Sequence, residues 1–559
     1  MTRLGVVGAG TMGGGIAQVA AQQGMEVILC DVTDEFLSNS LGRIRASLQR
    51  SVERGRLSQG DADATAERIR TTTEFADLGS VDCAIEAVIE EIETKRRVFR
   101  ALDEHLKDGA VLATNTSSLS VTEIAAATRR PGWVVGMHFF NPVPAMALVE
   151  IVRGRSTSEV AMERATTIAR ELGKTPVRCE DTPGFIVNRI VRPFYNEGLR
   201  ILQEGIASHE DIDRIMKGYG FRMGPFELMD LIGNDVNFAV TLSIYDGLFQ
   251  EPRFRPSFLQ QRLVQSGNLG QKTGRGWYDY SGGVAGSEPR VSSQEAAQVP
   301  SAREMSLEPI AVIVDSAVGA ELASVLAATG RRVRAGVPEG IELNIQGATV
   351  SNIPDAIDGA RLAIDATLLA PSRVRPVHHM ISKMHPDGTA GILTMASTAT
   401  AVSALVDAPE RFCGFGYVPP LADSKVIEVA PGLLTSEAAR QALINLVKAL
   451  EKEPVVVGDS AGLVGPRIVA LIANEASQAL MEGIASAADI DAAVKLGANY
   501  PHGPLEWGDL IGLDTVYAVI RGLQEEHGED RYRPSPLLRK MVYAGWTGTA
   551  AGRGFRTEG

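Results

Sequence analysis

Three groups of residues in this chain have types and spacings that can do chemistry. The first is Gly8-Ala-Gly-Thr-Met-Gly13, which follows the apolar run Leu4–Val7 and opens a helical pattern through Ile16, Val19 and Ala20. A strand that turns on glycines into a helix can hold a dinucleotide pyrophosphate. Gly8 permits the tight turn, Gly10 lets backbone approach the phosphates, and Gly13 lets helix pack on sheet. Thr11 and Met12 lie in the same turn, where the helix adds free N–H groups and the positive end of its dipole. Asp31 closes the next apolar run. A carboxylate there accepts from both ribose hydroxyls and repels a 2′-phosphate, so NAD is expected rather than NADP.

The second group is His138 and Glu150. Val134–Phe140 reads as a strand, Pro142 and Pro144 break the chain, and Leu148–Val152 resumes as an apolar strand around Glu150. A buried carboxylate needs a partner, and a strand-turn-strand connection can bring His138 to it. On these residues alone two readings stand. One is a general base whose tautomer the acid fixes; the other is a core histidine with a structural acid partner. The third group is Arg43, Arg45, Arg50, Arg54 and Arg56 on one helix. It suits phosphate groups or is an ordinary charged face.

The elements that must position these groups are legible. Short apolar runs at Leu4–Val7, Val27–Leu29, Cys83–Ala87 and Val111–Ala113 alternate with amphipathic segments, one marked by Leu37, Leu41, Ile44, Leu48 and Val52. That pattern predicts a parallel sheet covered on both faces. After about residue 180 the strand signal fades. Thr182 is expected to cap a helix with Pro183 in its first turn, and Ile186, Ile190 and Phe194 mark its apolar face. Asn188 shares a helical stripe with Gly184, Val191 and Tyr195, so it faces packing rather than water.

The plan then repeats. Asp181-Thr-Pro-Gly-Phe returns as Asp459-Ser-Ala-Gly-Leu, and Gly224-Pro-Phe-Glu227 with Asp230-Leu-Ile-Gly233 returns as Gly503-Pro-Leu-Glu506 with Asp509-Leu-Ile-Gly512. Matches at one offset, with a single insertion, indicate an internal duplication. The predicted fold class is α/β plus all-α: a Rossmann-type NAD-binding domain (1–180) and a helical domain (181–280), a linker (281–308), then a degenerate Rossmann-like domain (309–458) and a second helical domain (459–559).

Composition excludes several classes. Of 559 residues, 45% are hydrophobic and 22% charged, which rules out wholesale disorder. The net charge of −13 disfavours nucleic acid as a partner. Cys30, Cys83, Cys179 and Cys413 lie too far apart for a metal site or redox pair, so no metal is expected. The longest uncharged run, Gly388–Val406, carries Ser, Thr and Gly and reads as a strand followed by a loop or helix start, not a membrane span. No signal peptide is visible, and a cytoplasmic location is expected.

Thr114-Asn-Thr-Ser-Ser-Leu119, Gly136-Met-His-Phe-Phe-Asn-Pro-Val-Pro144 and Asp181-Thr-Pro-Gly-Phe-Ile-Val-Asn-Arg189 together resemble the 3-hydroxyacyl-CoA dehydrogenase family. Gly224-Pro-Phe-Glu-Leu228 and Lys272-Thr-Gly-Arg-Gly276 agree with the helical domain of that family, and the duplication resembles its longer members. The resemblance implies NAD-dependent oxidation of the 3-hydroxyl of a 3-hydroxyacyl-CoA to the 3-keto thioester, in fatty acid or phenylacetate-type catabolism. It implies His138 as general base, Glu150 orienting it, Ser117 bonding the reacting oxygen, and Asn188 positioning substrate and nicotinamide. Glu90, Lys95 and Asn115 match positions near the cofactor, and Asn141, Arg50 and Arg54 are expected on the substrate side, the arginines on CoA phosphates. Family homodimers associate through the helical domain. The tandem copy is therefore expected to supply that surface within one chain, as a monomeric pseudo-dimer or within a homo-oligomer.

The second copy departs from the pattern where chemistry would sit. Val314, Ser316 and Gly319 stand at the three glycine positions, Val337 at Asp31, Gly416 at His138 and Pro466 at Asn188, while Glu428 remains. Ser117 has no secure counterpart, because the alignment slips near Ser397–Thr398. One active and one degenerate half are expected. Two alternatives are a dehydrogenase of a free hydroxy or sugar acid, and a catalytically retired NAD-binding structural protein.

Overall fold

Short runs of apolar residues bounded by Gly, Asp or Thr form inner strands buried on both faces, flanked by more exposed edge strands, and they build two sheets of the same plan. The computed structural model describes residues 2–281, 307–368 and 382–556. The first sheet contains β1 (Arg3–Val7), β2 (Glu26–Cys30), β3 (Ile69–Thr72), β4 (Cys83–Glu86), β5 (Val111–Thr114), β6 (Val134–Phe139), β7 (Leu148–Arg153) and β8 (Thr175–Glu180). Its order is β3-β2-β1-β4-β5-β6-β7-β8, and the β6/β7 pair alone is antiparallel. The chain leaves β1 to opposite sides for β2 and β4, which opens a crevice at the strands' carboxyl ends.

The second sheet repeats this order with β9 (Ile310–Ile313), β10 (Val333–Gly336), β11 (Thr349–Ser351), β12 (Leu362–Asp365), β13 (Thr389–Leu393), β14 (Phe412–Gly416), β15 (Val426–Ala430) and β16 (Glu453–Val456). Its one antiparallel pair is again the sixth with the seventh, β14/β15. The run Gly388–Val406 resolves into β13 and a short helix, Ala399–Ser403. Among the described residues no helix is long and apolar enough to cross a membrane. The expected linker falls almost entirely outside the described residues.

Two compact units emerge. One holds 1–190 together with 479–499; the other holds 191–478 and 500–559. A stretch of the second helical region thus belongs with the first sheet. Its helix Ala487–Ala498 packs on β7, β8 and the short helix Val187–Ile190.

One local expectation is corrected. Thr182 caps no helix: residues 183–186 form a turn, with Gly184 at φ +80° and Phe185 at φ +48°, and helix begins at Val187. The turn forms because its last N–H groups are drawn to a buried carboxylate, described next. A second helix, Arg192–Gln203, starts after a break at Val191. Gly184 and Val191 therefore lie off the helices, and the stripe expected through Asn188 is interrupted on both sides.

Candidate active site

The antiparallel register sets His138 directly opposite Glu150. The imidazole Nδ1 lies 2.6 Å from Glu150 Oε2, with His138 5% exposed and Glu150 fully buried. The other carboxylate oxygen accepts from Ile186 N–H at 3.1 Å and Val187 N–H at 2.9 Å. Three donors thus compensate the buried charge. A carboxylate only accepts, so Nδ1 carries the proton and Nε2 is left as a lone-pair acceptor. Phe140 and Phe185 flank the ring, at 4.6 and 5.7 Å between centroids.

The neighbouring strand β5 ends beside β6, with Thr114 paired to Gly136. Asn115 and Ser117 leave its carboxyl end, and Asn115 Oδ1 accepts from Phe139 N–H at 2.8 Å, bracing the strand beside His138. Ser117 is half-buried, and its N–H donates to Glu90 Oε1 at 2.9 Å. The same oxygen receives Thr116 Oγ1 at 2.6 Å and Ser118 N–H at 3.1 Å. Glu90 is therefore the organiser of the loop that carries Ser117. Burial opposes its charge, but the Lys95 ammonium and the Thr116 and Ser117 hydrogen bonds outweigh that and hold its carboxyl below the usual range. Lys95 is buried between Glu86 at 2.7 Å and Glu90 at 3.2 Å, so its charge acts on the loop through Glu90. Asn188 sits half-buried on the Val187–Ile190 helix, next to the N–H groups that hold Glu150, and Asn141 is exposed in the turn after β6.

The glycine turn fits a dinucleotide. Gly8 has φ +105°, and a Cβ on Gly13 would stand 1.8 Å from Gly8 O, so neither position accepts a side chain. A Cβ at Gly10 would meet nothing within 4 Å, which leaves open space on the crevice side. The helix Thr11–Gln22 starts there with no side-chain cap and no acid in its first turn, so its N–H groups are available to an anion. Thr11 is exposed and Met12 half-buried at this helix start. Asp31, at the end of β2, accepts from Ala9 N–H and from Val32 N–H at 2.6 Å, which fixes its carboxylate beside the turn. Arg43 donates to Ala9 O at 2.7 Å. Sequence reasoning had Arg43 only as one of five arginines; the bond crosses 34 residues and leaves no local signal. Arg50 is exposed further along the same helix, Asp34–Glu53, roughly 10 Å beyond Arg43 at 1.5 Å per residue; Arg54, also exposed, is the residue that closes it and Arg56 lies past its end, so the five arginines expected on one helix do not all share it.

The second sheet carries the same positions with other side chains. Thr398 caps its short helix as Ser120 does, and Asp459 binds that helix as Asp181 does. This settles the register that sequence left open: Met395 stands where Ser117 does. Glu428 is buried opposite Gly416 and accepts from Val464 N–H at 2.7 Å and Gly465 N–H at 3.0 Å, as Glu150 accepts from Ile186 and Val187. In place of an imidazole, the Tyr219 hydroxyl donates to Glu428 at 3.0 Å. Burial pushes the Glu428 carboxyl up to about 7, against the hydrogen bonds that lower it. Met395, Val418, Pro466, Val469 and Val516 line an apolar crevice there. At the glycine-turn position Ser316 caps the Ala317–Ala328 helix by accepting from Gly319 N–H, with Asp315 just before it.

A family model described as 3-hydroxyacyl-CoA dehydrogenase, NAD binding domain, matches residues 3–182 and 346–460. A second, 3-hydroxyacyl-CoA dehydrogenase, C-terminal domain, matches 184–280 and 462–558. The chain is 37% identical over 538 residues to the 3-hydroxyadipyl-CoA dehydrogenase of Escherichia coli K12, covering 96% of each. Over 280 residues it is 41% identical to the 3-hydroxybutyryl-CoA dehydrogenase of Clostridioides difficile, covering 50% of this chain and 99% of that one. A crystal structure of 3-hydroxybutyryl-CoA dehydrogenase from Escherichia coli K12 superimposes with a TM-score of 0.76 at 35% identity, covering 98% of this chain and 99% of that one. The chain belongs to the 3-hydroxyacyl-CoA dehydrogenase family, an NAD-dependent oxidoreductase family, with both of the family's domains present twice.

Proposed function

We propose that this chain oxidises the 3-hydroxyl of a 3-hydroxyacyl-CoA at one site, built by its first half. The carrying observation is His138 Nδ1 at 2.6 Å from a Glu150 carboxylate that two backbone N–H groups hold in place. That geometry presents a basic Nε2, which takes the hydroxyl proton as the alcohol carbon becomes a ketone. Glu150 keeps the ring in this tautomer and offsets the positive charge the ring acquires. Ser117 donates to the reacting oxygen, and Asn188 holds the substrate in line. Bound NAD supplies the hydride acceptor. Gly8, Gly10, Thr11, Met12 and Gly13 hold its pyrophosphate, Asp31 its ribose, and Asn115, Glu90 and Lys95 shape the wall beside it. Asn141, Arg50 and Arg54 complete this reading on the CoA side, supported by their exposure and, for the arginines, by charge.

The second half supplies no catalytic or cofactor-binding side chain on this reading. Ser316 and Asp315 occupy the phosphate position, Val337 replaces Asp31, and Met395, Gly416 and Pro466 replace the three polar groups. Its role is structural. Buried Arg467 pairs with Glu197 at 3.0 Å and Glu204 at 2.7 Å, and Arg253 with Glu475 at 2.9 Å, joining the two helical regions inside one chain. These pairs support a pseudo-dimer within the monomer; the division at 1–180, 181–280, 281–308, 309–458 and 459–559 is part of the same proposal, with 479–499 packing on the first sheet. Four buried free thiols suit the reducing cytoplasm in which we place the activity. The full-length relatives act on CoA esters by name, which favours a CoA ester over a free hydroxy acid.

The test is NADH formation with 3-hydroxybutyryl-CoA and 3-hydroxyadipyl-CoA. His138→Ala is expected to lower kcat by about 10²-fold or more. A variant as fast as wild type removes His138 from the mechanism.

A further inference from the structure

The first half's proton-transfer pair rests on a helix from the other repeat. Residues 479–499 belong to the compact unit of the first sheet. Ile484 O accepts from Glu180 N–H at 2.9 Å at the end of β8, and Glu482 pairs at 2.7 Å with Arg189, which is 1% exposed. The helix Ala487–Ala498 then lays Gly497 against the support of Glu150. A Cβ on Gly497 would stand 2.7 Å from Leu148 Cδ2 and 2.9 Å from Val187 Cγ2. Leu148 lies two residues before Glu150, on the same face of β7. Val187 gives Glu150 its 2.9 Å N–H bond. One contact ends on the residue whose N–H holds the carboxylate, the other on the strand that carries it.

The mirror-image contact shows what this position can do. In the other unit Gly218 closes the helix His209–Gly218 and lies against Val426, two residues before Glu428; a Cβ there would be 2.3 Å from Val426 Cγ2. The next residue, Tyr219, reaches Glu428. After Gly497 the next residue is Ala498, which has no such reach.

We propose that the second repeat's Ala487–Ala498 helix is a working part of the first repeat's active site. Gly497 is a positioning residue that sets Glu150, and through it His138, by its contact with Val187 and Leu148. The inference rests on the His138–Glu150 reading. The degenerate repeat on this account supports the first repeat's active site in cis, through backbone placement.

The experiment compares Gly497→Ala with Gly218→Ala in the full chain, one methyl added at each equivalent position. Gly497→Ala is expected to lower kcat about tenfold with KM for NAD unchanged, because no group it moves belongs to the glycine turn. Adding Leu148→Ala and Val187→Ala together, which vacates the contested space, is expected to restore most of that loss. Gly218→Ala is expected to lower Tm at least as much and leave kcat within twofold of wild type. Equal kcat for the two single variants, or no rescue, overturns the proposal. Should Gly497→Ala not fold, Glu482→Gln is read instead: a kcat loss of about threefold supports the proposal and an unchanged kcat overturns it. An active His138→Ala enzyme would sink the catalytic reading itself, whereas matched behaviour of the two glycine variants sinks this inference alone.

Discussion

Replacing Glu150 by Gln removes one charge and almost no volume, so it isolates what the carboxylate does. Glu150 receives three hydrogen bonds: two backbone N–H groups on Oε1 and the imidazole on Oε2. A glutamine can keep its carbonyl at Oε1 or turn it toward His138. Turning it sets an NH₂ against the Ile186 and Val187 donors and leaves two buried N–H groups unpaired, at roughly 1–3 kcal/mol each. Keeping it leaves one conflict, an NH₂ facing Nδ1–H, and the ring resolves that by moving its proton to Nε2. The second arrangement wins by a few kcal/mol. Nε2 then arrives already protonated and cannot accept from the alcohol. The expected loss in kcat is about 10³-fold, or about 4 kcal/mol of barrier, while folding changes by about the 1.5–3 kcal/mol of one charged hydrogen bond. The assay is NADH absorbance at saturating substrate, with Tm from calorimetry and the histidine tautomer from ¹⁵N NMR. Retention of a tenth or more of wild-type kcat, with the proton observed on Nε2, would refute the reasoning.

Two further outcomes follow from the same geometry. Titration of NAD is expected to saturate at one site per chain, and Asp31→Arg, which puts a cation where the ribose carboxylate stands, should lose that site for NAD and gain affinity for NADP; two equivalent wild-type sites would contradict it. Glu428 has its carboxyl raised from the ordinary 4.5 to about 7 by burial, against its hydrogen bonds, so the folded chain holds that proton more tightly than the unfolded one. Its contribution to stability is therefore fully present below about pH 4.5, falls as pH rises toward 7, and is lost above, by about 3 kcal/mol at most; Glu428→Gln should flatten that part of the pH–stability curve, and an unchanged slope in denaturant titrations would count against it.

The parts of this molecule that sequence reveals are those whose causes are local. Each sheet strand named in advance is a run of buried apolar residues, and the glycine turn is specified by six consecutive positions. His138 and Glu150 are twelve residues apart on consecutive strands, so pairing them needed only a register. Other features arise between distant segments and leave no periodic trace. Glu90 reaches the Ser117 loop 27 residues on, and Tyr219 reaches Glu428 across 209. Thr182-Pro183 has a respectable helix-start composition, yet the demand of Glu150 for two N–H groups delays the helix to Val187. The identity of Met395 as the counterpart of Ser117 required the helix caps Ser120 and Thr398 and the acids that bind those helices, because Ser, Thr and Ala crowd that stretch in both copies.

Tyr219 and Ala498 occupy matching places at the ends of two related helices. In an assembly of identical subunits a single codon would serve both. A bulky phenol there needs the space that Gly465 leaves, since a Cβ on Gly465 would stand 2.1 Å from the Tyr219 ring; the first copy has Val187 at that point. Covalent fusion of the repeats uncouples the two choices. It lets a phenol meet the buried acid in one unit while an imidazole meets it in the other, an asymmetry that no strictly symmetric pair could adopt.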